Sequence, residues 1–302
     1  MATGVGAQIT FGCFVFIIEL AIFQAVPRMR HIIFYASIIF LAICGYLNGF
    51  IAARTMKFFQ IHDWKRSAIV AAMIFPGFIC TTLWSADLIE SIFGTAAAVP
   101  FSEGFFYYLL WWAIDAPSAA FGAYRGFKKP LGLEPEVGPI KRTIPEMPWY
   151  LSKAAIMGLY GPVIFATIAF EFNYLMDSIW RSYMIYAMYG ILLTTLAMMT
   201  ITIAALSIVV TYKLLCNQNY DWWWSSFSLG ASGGLYMFVF SLAWMILYED
   251  MSFFGSDMVY LITMYCVSAC FSFMCGSISV LSSYLFVERI YRASSKGQFT
   301  KF

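Results

Sequence analysis

Long uncharged stretches alternate with short polar connections along this chain, and that alternation points to one kind of element. A helix needs roughly 20 apolar residues to cross a bilayer. Eight stretches reach that length, at about 5–26, 32–53, 67–90, 104–124, 154–175, 183–213, 225–248 and 258–287. Backbone polar groups in lipid must be satisfied within the segment, and the runs are too long for barrel strands, so the pattern predicts helices. The fold class is all-α: a polytopic membrane helix bundle of about eight transmembrane helices, forming one unit over residues 1–302. The sixth and eighth stretches exceed one crossing, which predicts tilt or a helical extension into the cytosol. Pro76-Gly77, Pro117 and Gly161-Pro162 lie inside the runs and predict kinks.

Composition strengthens this picture. The chain is 62% hydrophobic and 11% charged, against a soluble average of about 25% charged. A soluble domain could not cover so much apolar surface with so few charges. A net charge of +2 gives no reason to expect nucleic acid. The seven cysteines form no C-x-x-C pair, and all but Cys216 lie in apolar runs, so they read as small packing residues. His31 and His62 stand without a partner set, and no G-x-S-x-G, H-E-x-x-H or Walker pattern occurs. Nothing here supports an enzyme, a metal site or a cofactor.

Lys and Arg placement sets the orientation. With both termini cytosolic, fifteen positive residues fall in cytosolic segments, against Arg28, Arg30 and Arg181 opposite, as the positive-inside rule requires. Arg28 and Arg30 dissent beside the first stretch, a tension that an upstream helix would relieve. The long connection 125–153 carries Pro130, Pro135, Pro139, Pro145 and Pro148, which resist helix and predict an extended cytosolic segment against a partner or anionic lipid. Tyr212-Lys213-Leu214-Leu215 matches a tyrosine sorting pattern, but one that falls at a helix end, out of an adaptor's reach.

Candidate chemistry comes from polar groups placed in lipid. Glu19, Asp87, Glu90, Asp115 and Glu171 fall inside or at the ends of the runs, where a carboxylate is expensive and faces a bundle interior or a wet cavity. They are candidates for binding a cargo helix or an ion; hydrogen-bonded structural carboxyls are the simpler alternative. Small residues cluster in the last two stretches, including Gly230, Gly233, Gly234, Gly276 and Ser279, and let helices approach closely. That face serves packing inside the bundle or docking of another protein's helix. Trp222, Trp223 and Trp224, with Trp149, fit a lipid headgroup layer and are expected as interface anchors.

Several strings resemble one family in order along nearly the whole chain. Gly49-Phe50-Ile51-Ala52-Ala53-Arg54 looks like the G-x-x-S/A-A-R helix end of the nonaspanins, the transmembrane 9 superfamily. Phe75-Pro76-Gly77 and Ala97-Ala98-Val99-Pro100-Phe101 are similar to that family's P-G and A-V/I-P-F pair. Gly122-Ala123-Tyr124-Arg125-Gly126-Phe127-Lys128-Lys129-Pro130 resembles G-A-Y-F-G-F-K-K-P, and residues 142–150 resemble R-x-I-P-E-Q-P-W-Y. Tyr220-Asp221-Trp222-Trp223-Trp224-Ser225-Ser226-Phe227 resembles Y-H-W-W-W-R-S-F, and Ser283-Tyr284-Leu285-Phe286-Val287 the last helix. Departures include Ala205 at a family glutamate, and Asp87 and Asp115 where Asn and Ser are frequent, whereas Glu171 fits an I/F-E pattern.

The resemblance implies spans two to nine of a nine-span protein, without its luminal N-terminal domain and first span. It further implies an endosome or Golgi membrane protein that assists the sorting of other membrane proteins by engaging their transmembrane helices. Membrane lipids and cargo helices are the partners it implies; no cofactor is. The family's K-x-D/E ending, read by a vesicle coat, has no counterpart in residues 294–302, which leaves a vesicle-coat contact and Golgi residence doubtful. A proton- or cation-coupled transporter using the intramembrane carboxylates is the alternative.

Overall fold

Helices occupy each of the expected stretches. The computed structural model describes residues 1–25, 30–59, 64–93, 101–130, 143, 145–180, 189–248 and 254–299. Within these run α1 (Ala2–Ala25), α2 (Arg30–Phe58), α3 (Trp64–Ile92), α4 (Phe101–Lys128), α5 (Lys153–Ala166), α6 (Ala169–Trp180), α7 (Tyr189–Cys216), α8 (Trp222–Tyr248) and α9 (Phe254–Phe299). A 3-10 turn, Trp149–Leu151, precedes α5. Every regular element among the described residues is helical, so the protein is an all-α polytopic bundle.

By length and composition, fewer helices among the described residues qualify as crossings than the eight expected stretches. Five segments are long and apolar enough to cross a membrane: Ala2–Ile22, Ile69–Ile92, Tyr189–Cys216, Trp222–Tyr248 and Phe254–Ala293. The fifth expected stretch is broken into α5 and α6, bent by 64°, and counting that pair as one span gives six. α2 and α4 have 29 and 28 residues but do not reach the same apolar standard over the described residues. α9 is 46 residues long, about 69 Å at 1.5 Å per residue, more than twice a hydrocarbon core of about 30 Å. Of the connection expected over 125–153, α4 takes the residues through Lys128, and Pro148 is extended (φ −56°, ψ 145°). Pro135, Pro139, His62, Arg28 and Arg181 lie outside the described residues.

Two glycine seams set the packing. Gly45 and Gly49 of α2 face Asp115, Ser118 and Ala119 of α4, and Gly122 and Gly126 of α4 face Tyr46 and Phe50 of α2. A Cβ at Gly49 would land on the Ala119 carbonyl, one at Gly122 on the Tyr46 carbonyl, and one at Gly126 against the Phe50 carbonyl. Backbones this close exclude any side chain, the small-xxx-small geometry of membrane helix pairs. The second seam joins α8 to α9: a Cβ at Gly230 would meet the Cys275 carbonyl, and one at Gly234 would meet Ser272 and the Ser268 carbonyl. Gly6 of α1 meets the Phe273 carbonyl in the same way, which locks α1 onto α9. Between these contacts lies the main core, with Trp244, Tyr260, Met199, Ile203 and Leu229 fully buried.

The basic helix ends gather on one side. Lys57, at the end of α2, donates from Nζ to the carbonyls of Phe127 and Lys129 at the end of α4, both at 3.1 Å. It thereby caps a helix terminus whose dipole favours a cation. Nearby, Phe59 stands edge-on to Trp223 at 5.2 Å and Phe58 to Tyr284 at 5.0 Å, so α8 begins at the end where α2 and α4 finish. The turn from α7 into α8 is tight. Asn219 N–H donates to the Leu214 carbonyl and Gln218 N–H to the Leu215 carbonyl, with Gln218 at φ 57°, a Schellman closure on a residue other than glycine. Asn219 Oδ1 then accepts from Asp221 N–H at 2.9 Å and starts α8 at Trp222.

Candidate functional site

A buried polar chain crosses the junction of α1, α2, α3 and α4. Gln8 of α1 donates from Nε2 to Oδ1 of Asp115 on α4 at 2.8 Å. Asn48 of α2 donates from Nδ2 to Oε1 of Gln8 at 2.9 Å and to the Ala71 carbonyl of α3 at 3.2 Å. Asp115 and Asn48 are wholly buried, and Gln8 nearly so. Gly45 makes the carboxyl's position possible, because a Cβ there would collide with Asp115 and Ser118. Ser118 Oγ donates to the Asp115 carbonyl at 2.8 Å, a satisfied turn beside Pro117. Two acceptors in this network, Asp115 Oδ2 and Asn48 Oδ1, have no hydrogen-bond partner among the described residues. In low dielectric such atoms are costly, and they mark where a polar network expects something more.

Sequence reasoning found only the carboxylate of this chain. Gln8 and Asn48 carry no charge, so they stand out less than a carboxylate within an apolar run. The signal was present: each is a lone primary amide inside an apolar run, and neither has water to bond to there.

The other candidate carboxylates lie elsewhere. Glu171 is buried in the first turn of α6, where the helix dipole favours a negative group. It follows the break that separates α5 from α6, at which Thr167 Oγ1 donates to the Ile164 carbonyl at 2.7 Å and Ile168 N–H to the Phe165 carbonyl. Its neighbour Phe172 packs on Phe240 of α8 at 5.9 Å, so Glu171 belongs to the α5–α6–α8 side and Asp115 to the α1–α4 side. Asp87 on α3 and Glu19 on α1 are half-buried. Glu171 and Asp115 therefore do not share a site.

The small residues of α8 and α9 are covered. Gly230, Gly234 and Gly276 face α9 and Phe227, and Gly233 faces Ile164 of α5. Ser279 Oγ donates to the Ser226 carbonyl at 2.6 Å; Ser226, Ser283 and Thr211 join hydroxyl to hydroxyl at 2.7 and 2.8 Å. These residues pack the bundle internally.

The tryptophan run divides by function. Trp222 departs from the interface role expected of it: it is buried in the core, because it is the first residue of α8 and turns inward. Trp223 packs on Phe59, while Trp224 is 58% exposed and Trp149 78% exposed. No group of three or more His, Cys, Asp or Glu is arranged to hold a metal among the described residues.

The chain has relatives among known membrane proteins. The family model described as endomembrane protein 70 matches residues 1–254. Transmembrane 9 superfamily member 10 of Arabidopsis thaliana is 28% identical over 293 residues, covering 95% of this chain and 45% of the relative. Transmembrane 9 superfamily member 4 of the same plant is 28% identical, covering 97% and 49%, and member 4 of Homo sapiens is 26% identical, covering 88% and 42%. The chain thus spans about half the length of the curated relatives it matches. No solved structure matches. With its ordered helix-end motifs, its bundle and a family match over most of its length, the chain belongs to the endomembrane protein 70 family of transmembrane 9 superfamily membrane proteins.

Proposed function

We propose that this protein is an endosome or Golgi multi-pass protein that assists the localisation of other membrane proteins by binding their transmembrane helices. Eight crossings with both termini cytosolic complete the reading, supported by the collection of Lys57, Arg125 and Lys128 at the end where α2 and α4 finish. The observation that carries the binding site is the break between α5 and α6. Around the 64° bend Val163, Ala166, Phe170 and Tyr174 are exposed, and Glu171, beside Phe170 in sequence, is buried. Phe170 is 82% exposed. A cargo helix with glycine or polar side chains lies against this face and hydrogen-bonds toward Glu171. Such bonds contribute only about 0.6–2 kcal/mol each, so recognition sums several contacts. Asp115 and the α8–α9 seam, both sealed, support the bundle instead.

The test uses the full chain in cells with a single-span reporter whose helix carries glycines and one polar residue. A photoreactive phenylalanine analogue at position 170 should crosslink the reporter, and one at the exposed position 201 of α7 should not. Glu171→Gln should lower reporter surface level without lowering the protein's own abundance. Equal crosslinking at both positions, with an unchanged reporter, would defeat the assignment.

The half-satisfied Asp115 chain favours a second reading, a proton- or cation-coupled transporter. Flux in liposomes, measured by a pH- or ion-sensitive dye, separates the two, since a sorting chaperone conducts nothing.

A further inference from the structure

Three buried polar atoms at the α1–α4 junction lack partners among the described residues, and one of them has a local explanation. Asn48 Oδ1 lies against the backbone of Gly4, where a Cβ would come within 2.6 Å of it, so the oxygen is covered by a glycine Cα–H group. Asp115 Oδ2 and Trp111 Nε1 remain. Both belong to α4, four residues apart, so they leave the same helix face with Cβ atoms about 5–6 Å apart. Trp111 stands edge-on to Phe75 of α3 at 5.5 Å, and Asp115 is fixed by Gln8 through its other oxygen. One atom is a donor and the other an acceptor, yet they do not bond to each other.

We infer that Trp111 and Asp115 together hold one buried water molecule. A ligand at this place must accept from an indole N–H and donate to a carboxyl oxygen. Water does both, and buried waters bridge two or more otherwise unpaired polar groups in this manner. A bare cation cannot accept a hydrogen bond from the indole. The water extends to Trp111 the polar path that runs from the Ala71 carbonyl through Asn48 and Gln8 to Asp115. This inference is independent of the cargo-binding reading.

The experiment is nuclear magnetic resonance on the full chain in phosphatidylcholine nanodiscs, with 15N at the tryptophan indoles. Trp111→Phe, which keeps the ring against Phe75, identifies the Trp111 signal by its disappearance. The wild-type Trp111 N–H should show a cross-peak to a water proton, lost in Asp115→Leu and shifted in Asp115→Asn. Absence of that cross-peak in the wild type overturns the proposal, whatever the variants do. So does a peak unmoved by either Asp115 variant, or one that appears only when Na+ replaces choline.

Discussion

Replacing Gln8 by leucine removes the central link of the buried polar chain while nearly preserving side-chain volume. Gln8 makes two interhelical bonds, to Asp115 at 2.8 Å and from Asn48 at 2.9 Å. Bonds of this kind between membrane helices average about 0.6 kcal/mol, with a maximum near 1.7. The larger effect is what stays behind: Asp115 would lose the hydrogen bond its carboxyl accepts from α1, at a cost of about 1–3 kcal/mol. Together these set an expected loss of about 2–5 kcal/mol. Unfolding of the full chain in mixed micelles, with increasing mole fraction of dodecyl sulfate, measures it. Asp115→Leu in the Gln8→Leu background should then cost far less than in the wild type, because the stranded carboxyl is gone. The coupling should be about 1–2 kcal/mol, within the range for residues sharing a network. Additivity of the two substitutions to within about 0.5 kcal/mol would refute the claim that the chain acts as a unit.

Two further outcomes follow from packing. Trp222→Ala should destabilise by about 3 kcal/mol or more, as for a buried aromatic, whereas Trp224→Ala should leave the same unfolding curve nearly unmoved, since only Trp222 is in the core. Gly122→Ala drives a Cβ into the Tyr46 carbonyl and should separate α2 from α4, seen as lost folded yield in size-exclusion chromatography; Gly77→Ala, with nothing within 4 Å of the new Cβ, should fold normally.

Helix existence was legible because lipid leaves a backbone few alternatives. Runs such as 225–248 and 258–287 were readable from their lack of charge, and helices stand over them. The break after Ala166 was less so: Gly161-Pro162 predicted a kink, but the chain bends further on, at Thr167 and Ile168, where side-chain and backbone donors turn back onto α5. Of the candidate site, Asp115 was visible as a charge in the wrong medium, whereas Gln8 and Asn48 were not, since an amide in a hydrophobic run is remarkable only once a partner is known. The α2–α4 seam shows the same limit. Gly45, Gly49, Gly122 and Gly126 sit at helical spacing in two separate segments, and nothing local says that the two segments pack together.

What the sequence determined by itself was the solvent, the element type and the family. Each depends on the chemistry of single segments against lipid or water. Only the tertiary structure decided which helices touch, that Trp222 belongs to the core while Trp224 faces outward, and that the small residues of α8 and α9 are consumed by each other. Apolar side chains look alike to lipid and to a neighbouring helix, so hydrophobicity carries no information about which face is which. That choice is made by close backbone approach at glycines and by the few buried hydrogen bonds, among them the link from Gln8 to Asp115.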